Sequence, residues 1–338
     1  MSKKIVTYPH PFKLESGKYL PGLEIAYHTY GQLNAEKSNV IWICHALTAN
    51  SDVTDWWSSL VGKGKRFDPA DYYIICANIL ASCYGTTGPL SINSETHQPY
   101  YSSFPQVTIR DMVNAHILLR EHLGIKKIHI GLGGSMGGYQ LLEWAFMEPA
   151  VFHKLVLLTT SAKESAWGIA IHTAQRLAIE TDPTWKDRSA SAGAAGLKTA
   201  RAIGMLTYRN YELFVQTQDD PEHQKTDHFK ASSYIHYQGE KLVKRFNAQS
   251  YWLLTKAMDS HNIGRNRGSV EKALSQLSAN TLIIGINSDM LCPLTEQKYL
   301  AEHIPHSVCV SIDSSYGHDG FLIEGKKIAE PIGKFNFI

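Results

Sequence analysis

The chain has 338 residues, 43% of them hydrophobic and 19% charged, the latter below the roughly 25% of an average soluble protein. That composition excludes a disordered chain and supplies a sizeable core, either one large α/β unit with an insertion or about two ordinary domains. With 33 Lys+Arg against 31 Asp+Glu the net charge is +2, so composition makes no electrostatic case for a nucleic-acid partner.

The first ten residues lack the apolar stretch of a signal peptide, and no apolar run approaches the roughly 18 residues that span a bilayer. A soluble, cytoplasmic protein with no membrane partner is expected. Residues 24–29 alternate in polarity and end before Gly31, which predicts an antiparallel strand near a sheet edge. Six near-continuous apolar runs follow, at 40–44, 72–77, 128–131, 155–159, 281–286 and 308–312. Runs of this kind suit parallel strands buried on both faces. The basic cluster Lys63-Gly64-Lys65-Arg66, between the first two runs, reads as a solvated loop. Between the second and third runs, Ile109, Met112, Val113 and Ile117 make the stripe of a helix over 108–123, capped by Thr108 with Asp111 and ended by Gly124. A second helix is expected over 136–147, stopped before Pro149. Strand, helix, strand in succession implies a sheet covered on both sides.

The rhythm changes between about 162 and 279, a stretch rich in Ala, Arg, Lys, Gln and His and punctuated by Asp182-Pro183 and Asp220-Pro221. It reads as a helical cap, residues 163–279, inserted into a core made of 1–162 and 280–338. Five cysteines, with no C-x-x-C, form neither a disulfide framework nor a zinc site on that spacing, and no metal is expected. Cys44, Cys76 and Cys309 lie inside apolar runs and read as small core residues.

The sharpest local feature is Gly133-Gly134-Ser135-Met136-Gly137, a G-x-S-x-G pattern between a strand and an amphipathic helix. A serine hydroxyl attacks a carbonyl only when a base takes its proton and a tight turn presents its Oγ openly. Ser135 is therefore the candidate nucleophile. Its partners should follow in the order acid, then histidine, on loops after later strands. Asp289 follows the fifth run and His318 the sixth. Asp313 is the rival acid, but it shares a loop with the histidine. An oxyanion hole needs two backbone N–H groups, one expected from Met136 and one from Leu47 in the loop 45–50. His45 is read as shaping that loop.

These residues resemble the homoserine O-acetyltransferase family, which has the α/β-hydrolase fold. The resemblance runs from about Leu23 to Glu324 through His45-Ala46-Leu47-Thr48, Gly85-Thr86-Thr87-Gly88-Pro89, residues 104–113, residues 133–138, Thr207-Tyr208-Arg209, Arg245-Phe246 and Gly317-His318-Asp319. It implies a triad of Ser135, Asp289 and His318 that moves an acetyl group from acetyl-CoA to the hydroxyl of L-homoserine, a step toward methionine. Acetyl-CoA is then a substrate, and no resident cofactor is implied. It further implies that Arg209 holds the α-carboxylate, that Asp319 holds the α-ammonium, and that the protein is a homodimer with contacts through cap helices. The apolar cap is expected to keep water from the acyl group.

Some segments depart from the family pattern: Ala81-Ser82-Cys83, Thr86, Thr48-Ala49 and Arg245-Phe246-Asn247. Related enzymes use succinyl-CoA or L-serine, so donor and acceptor stay open at this stage. A serine esterase or other hydrolase on the same scaffold is one rival reading, and a non-enzymatic binding module, against which an intact Ser, Asp and His in order argues, is the other.

Overall fold

The computed structural model describes residues 2–335. Eight strands form the main sheet: β1 (Lys4–Tyr8), β2 (Leu23–Tyr30), β3 (Val40–Cys44), β4 (Tyr73–Ala77), β5 (Ile128–Gly134), β6 (Phe152–Leu158), β7 (Asn280–Ile286) and β8 (Ser307–Ile312). Their spatial order is β1-β2-β4-β3-β5-β6-β7-β8. The β1/β2 and β2/β4 pairs are antiparallel, and every later pair is parallel. This is a mostly parallel α/β sheet of the predicted class.

The period of two along each strand sends alternate side chains to opposite faces. Val40, Trp42 and Cys44 enter one apolar core, with Met112, Leu141 and Trp144. Ile41 and Ile43 enter the other, with Ile130, Leu132, Ile284, Phe321 and Ile328. Two sheet-covering helices, α1 (Ile109–His122) and α2 (Met136–Met147), match the sequence reading. Thr108 and Asp111 form a reciprocal capping box, and Gly124 closes α1 at φ +63°.

Between β6 and β7 the described chain is helical: α3 (Ala166–Glu180), α4 (Ala194–Tyr208), α5 (Tyr211–Gln218), α6 (Lys230–Val243), α7 (Ala248–Asp259) and α8 (Val270–Leu274). After β7 come α9 (Leu294–His303), and after β8 the short α10 (Gly320–Ile323) and α11 (Gly325–Phe335).

Two expectations are corrected. The run 308–312 is not buried on both faces: β8 is an edge strand, and Val308 is 46% exposed. Cys309 is accordingly half-buried, whereas Cys44 and Cys76 are fully buried. The strand expected over residues 24–29 is antiparallel to both neighbours and near the sheet edge, as the alternation predicts, with only β1 outside it.

Candidate active site

Ser135 joins β5 directly to α2, at φ +54° and ψ −125°. Such a backbone costs a non-glycine residue on the order of 1–3 kcal/mol and persists only where its surroundings hold it. Here the Ser135 N–H donates to the Leu158 carbonyl at 3.0 Å, and the Ser135 carbonyl accepts from the Thr160 hydroxyl at 2.9 Å. The glycines permit close approach: a Cβ on Gly137 would run into the Cys44 carbonyl, and one on Gly133 would lie 2.6 Å from the Gly137 carbonyl oxygen. The turn thus locks the head of α2 against the end of β3.

Asp289 and His318, on the loops after β7 and β8, meet each other, and His318 lines the same cavity as Ser135. His318 Nδ1 lies 2.7 Å from Asp289 Oδ2. The other carboxylate oxygen of Asp289 accepts the N–H groups of Leu291 and Cys292, each at 2.9 Å. A carboxylate so bound cannot rotate away, and it requires the proton of His318 on Nδ1, which leaves Nε2 as the acceptor. Burial disfavours the charged imidazole, but the charge and hydrogen bond of Asp289 outweigh it, with Asp319 and Glu164 adding, so the His318 pKa is raised. Phe321 packs edge-on against the ring at 5.5 Å, and Tyr208 flanks it at 6.1 Å. Asp313 sits apart: its carboxylate accepts from the Asn287 amide, and its side chain is exposed.

Ser135 and His318 wall one cavity of about 380 Å³, together with Leu47, Thr48, Asp319 and Phe321. Met136 is the first residue of α2, so its N–H has no partner within the helix. Leu47 lines the cavity, on a loop whose first residue, His45, is held by Gln140. Gln140 Nε2 donates to the carbonyls of both His45 and Met136, each at 3.1 Å, and its oxygen pairs with His116 Nε2 at 2.9 Å. His45 Nδ1 donates to the Ala46 carbonyl, and Nε2 accepts the Ile79 N–H. Complete burial, partly offset by the Ala46 bond, pushes the His45 pKa down to about 4. His45 is therefore a neutral brace for the loop.

Arg209 and Asp319 are brought together, but with each other: Arg209 Nη1 lies 2.7 Å from Asp319 Oδ2. Asp319 lines the Ser135 cavity, whereas Arg209 lines a neighbouring pocket beside Tyr234, whose hydroxyl accepts from Arg209 Nε at 3.0 Å. Asp319 precedes α10 without capping it through its side chain.

Sequence reasoning missed Gln140, His116 and Thr160, which sit in apolar surroundings with no motif to mark them. It also missed the character of the wall supplied by residues 163–279. That wall consists of His172, Arg201, Tyr208, Lys241, Arg245 and Met258. The expected apolar lining is corrected: among the described residues of the insertion only Met258 is apolar there, because the helices turn their apolar sides toward one another and the core. Buried Leu197, Ala200 and Leu242, for example, lie in the main apolar cluster.

The α/β hydrolase fold family matches residues 39–324. The chain is 47% identical to the homoserine O-acetyltransferase of Cyclobacterium marinum, over 97% of this chain and 93% of that protein. It is 44% identical to the homoserine O-acetyltransferase of Chlorobium chlorochromatii, over 97% of this chain and 94% of that one. Among solved structures, homoserine O-acetyltransferase from Bacillus anthracis superposes with a TM-score of 0.90 at 26% identity, covering 97% of this chain and 96% of that one. Esterase E22 also superposes at 0.90 and 26% identity, covering 99% of each chain. Backbone shape therefore does not separate acyl transfer from hydrolysis, and full-length sequence identity does the separating. On that identity, the chain belongs to the homoserine O-acetyltransferase family of the α/β-hydrolase fold.

Proposed function

We propose that this protein transfers an acetyl group from acetyl-CoA to the side-chain hydroxyl of L-homoserine through an acetyl-Ser135 intermediate. The observation that carries the reading is the single cavity walled by Ser135, His318 and Asp319, with the Asp289–His318 bond of 2.7 Å behind it.

In the first half-reaction His318 Nε2 takes the Ser135 proton as Oγ attacks the thioester carbonyl carbon. The carbonyl electron pair moves onto oxygen, where the N–H groups of Leu47 and Met136 stabilise it. Collapse expels the thiolate, which takes the proton from His318 and leaves as the free thiol of CoA. In the second half-reaction His318 removes the homoserine hydroxyl proton as that oxygen attacks the acetyl carbon. Collapse then returns the electron pair to Ser135 Oγ, which recovers the proton, and O-acetylhomoserine departs. Because both acyl partners need the same short reach above Ser135, donor and acceptor act in turn, and the kinetics are ping-pong.

Homoserine is a zwitterion, and the Arg209–Asp319 pair offers one charge for each end. The ammonium takes Asp319 and the carboxylate takes the guanidinium, whose planar fork suits two oxygens. With a largely polar wall on the side of residues 163–279, selection against water rests on the high effective molarity of a clamped hydroxyl.

Residues 1–162 and 280–338 form the catalytic core in this reading, and 163–279 the cap. The cap carries exposed Trp167, Leu177, Leu206, Tyr211 and Tyr237, an apolar set that supports a homodimer through cap helices. Five free cysteines fit a reducing cytoplasm, and among the described residues no helix is long and apolar enough to cross a membrane.

A donor-by-acceptor screen tests the proposal. Acetyl-CoA and succinyl-CoA are crossed with homoserine and serine, and free thiol is followed. Thiol release accelerated by homoserine and fastest with acetyl-CoA is expected. Release indifferent to either amino acid, with ready hydrolysis of p-nitrophenyl acetate, would make the protein an esterase.

A further inference from the structure

We infer that Arg201, Lys241 and Arg245 form a phosphate-binding rim on the cap side of the cavity, holding the nucleotide end of a coenzyme A thioester; this rests on the transferase reading above. The three cations come from α4, from α6 and from the turn between α6 and α7, yet they line the same cavity as Ser135. The acids of that wall are Asp55 and Asp319, and Asp319 is already paired with Arg209. Among the described residues, none of the three cations is in an ion pair.

Two of them are nonetheless held in place. Arg245 Nη1 donates to the Thr48 carbonyl and to the Tyr84 hydroxyl, each at 2.5 Å. The Arg201 guanidinium lies 5.3 Å from the centre of the Tyr208 ring. Neutral partners orient a cation without cancelling its charge, which is what a site prepared for an anion requires.

Charge matching then selects the ligand. The acceptor has a single carboxylate, for which Arg209 is the candidate, and the acetyl group has no charge. Three further cations exceed anything the acyl or acceptor groups present. A donor bearing a diphosphate and a third phosphate matches them. Arg245 also touches the loop that carries Leu47, so an occupied rim and an ordered oxyanion loop would support each other.

The test compares acetyl-CoA with S-acetyl-N-acetylcysteamine, which carries the same thioester and no phosphate, in the wild type and in the Arg201→Gln/Lys241→Gln variant. The ratio of kcat/KM for acetyl-CoA to that for the truncated donor should fall about tenfold or more, through KM for acetyl-CoA, and salt should erode the wild-type ratio but not the variant's. Arg201→Lys alone should keep most of the ratio. Equal losses on both donors, or an unchanged ratio, would overturn the rim. So would a loss confined to succinyl-CoA, which would assign the cations to a donor carboxylate. If the wild type turns over neither donor, the transferase reading fails, and the rim is judged by calorimetric binding of CoA itself. Binding abolished by the double variant keeps the rim; binding absent from the wild type, or equal in both proteins, overturns it.

Discussion

Asp319, which lines the Ser135 cavity, and Arg209, which lines the neighbouring pocket, hold each other, Nη1 to Oδ2 at 2.7 Å, with side chains only 18% and 24% exposed. Each would otherwise be a half-buried charge with no counterion. A zwitterion that inserts between them replaces one ion pair with two, so the desolvation cost is met before the substrate arrives. Arg209→Ala and Asp319→Asn should each lower kcat/KM for homoserine by about 2–5 kcal/mol while sparing thiol release from acetyl-CoA. The double variant should lose less than the sum, by about 0.5–3 kcal/mol. Strict additivity in the cycle would mean that the two residues act separately.

The acid of the triad can be assigned by paired substitutions. Asp289 is fixed by two backbone N–H groups and His318, whereas Asp313 is exposed and bound to Asn287. Asp289→Asn should place the imidazole proton on the wrong nitrogen and cost up to about ten-thousandfold in kcat. Asp313→Asn should stay within a few-fold of wild type. The reverse pattern in steady-state rates would exchange their roles.

The Ser135 backbone predicts a stability effect separate from chemistry. Ser135→Ala should lose about three or more orders of magnitude in turnover. Ser135→Gly should be equally inactive yet more stable than Ser135→Ala by about 1 kcal/mol, since glycine adopts φ +54° without strain. Urea unfolding of the two variants checks this, and equal midpoints would mean the turn is unstrained.

The raised pKa of His318 sets the pH profile. His318 must be neutral to accept the Ser135 proton, so kcat/KM for acetyl-CoA should fall as pH drops, with a midpoint above the ordinary imidazole value of about 6.5. The same shift means the His318–Asp289 charge pair adds stability at low pH, and this contribution fades as pH rises through the folded-state pKa. In Asp289→Asn, burial acts with less opposition, and the midpoint of the residual activity should move down. A midpoint unmoved by that substitution would sever the two residues.

Gln140 is the least obvious of the supporting groups. It is fully buried and ties the His45 carbonyl to the Met136 carbonyl, so one side chain links the loop of Leu47 to the head of α2, the two segments proposed to supply the oxyanion hole. Gln140→Leu keeps much of the volume and removes both of these bonds and the one to His116. It should lower kcat by about a hundredfold or less with KM for homoserine little changed, since small misplacements of a reacting group are costly. A normal kcat would show that the loop holds itself.

What could be read from the chain alone follows from which interactions are local. Ser135, Asp289 and His318 were legible because each follows an apolar run, and a parallel sheet delivers the ends of such runs to one edge. Gly137 was legible as part of a turn, although the Cys44 carbonyl that requires it comes from β3. β1 was missed: Lys4–Tyr8 is short and mostly exposed, and only its pairing with β2 makes it a strand. The run 308–312 looked fully buried because composition does not report how many neighbours a strand has. The Arg209–Asp319 pair and the cationic cap wall depend on how α4 and α6 dock over the sheet, and no spacing within either segment encodes that.

The proposed reaction turns on an acetyl group held covalently on Ser135 between two half-reactions. Rapid mixing of the protein with acetyl-CoA and no acceptor tests it directly. A burst of about one thiol per active site is expected, with slow turnover afterwards and an acetyl mass increment on the peptide containing Ser135 that homoserine discharges. No burst, no acetylated Ser135 and intersecting initial-rate plots would contradict it and require donor and acceptor to be bound together.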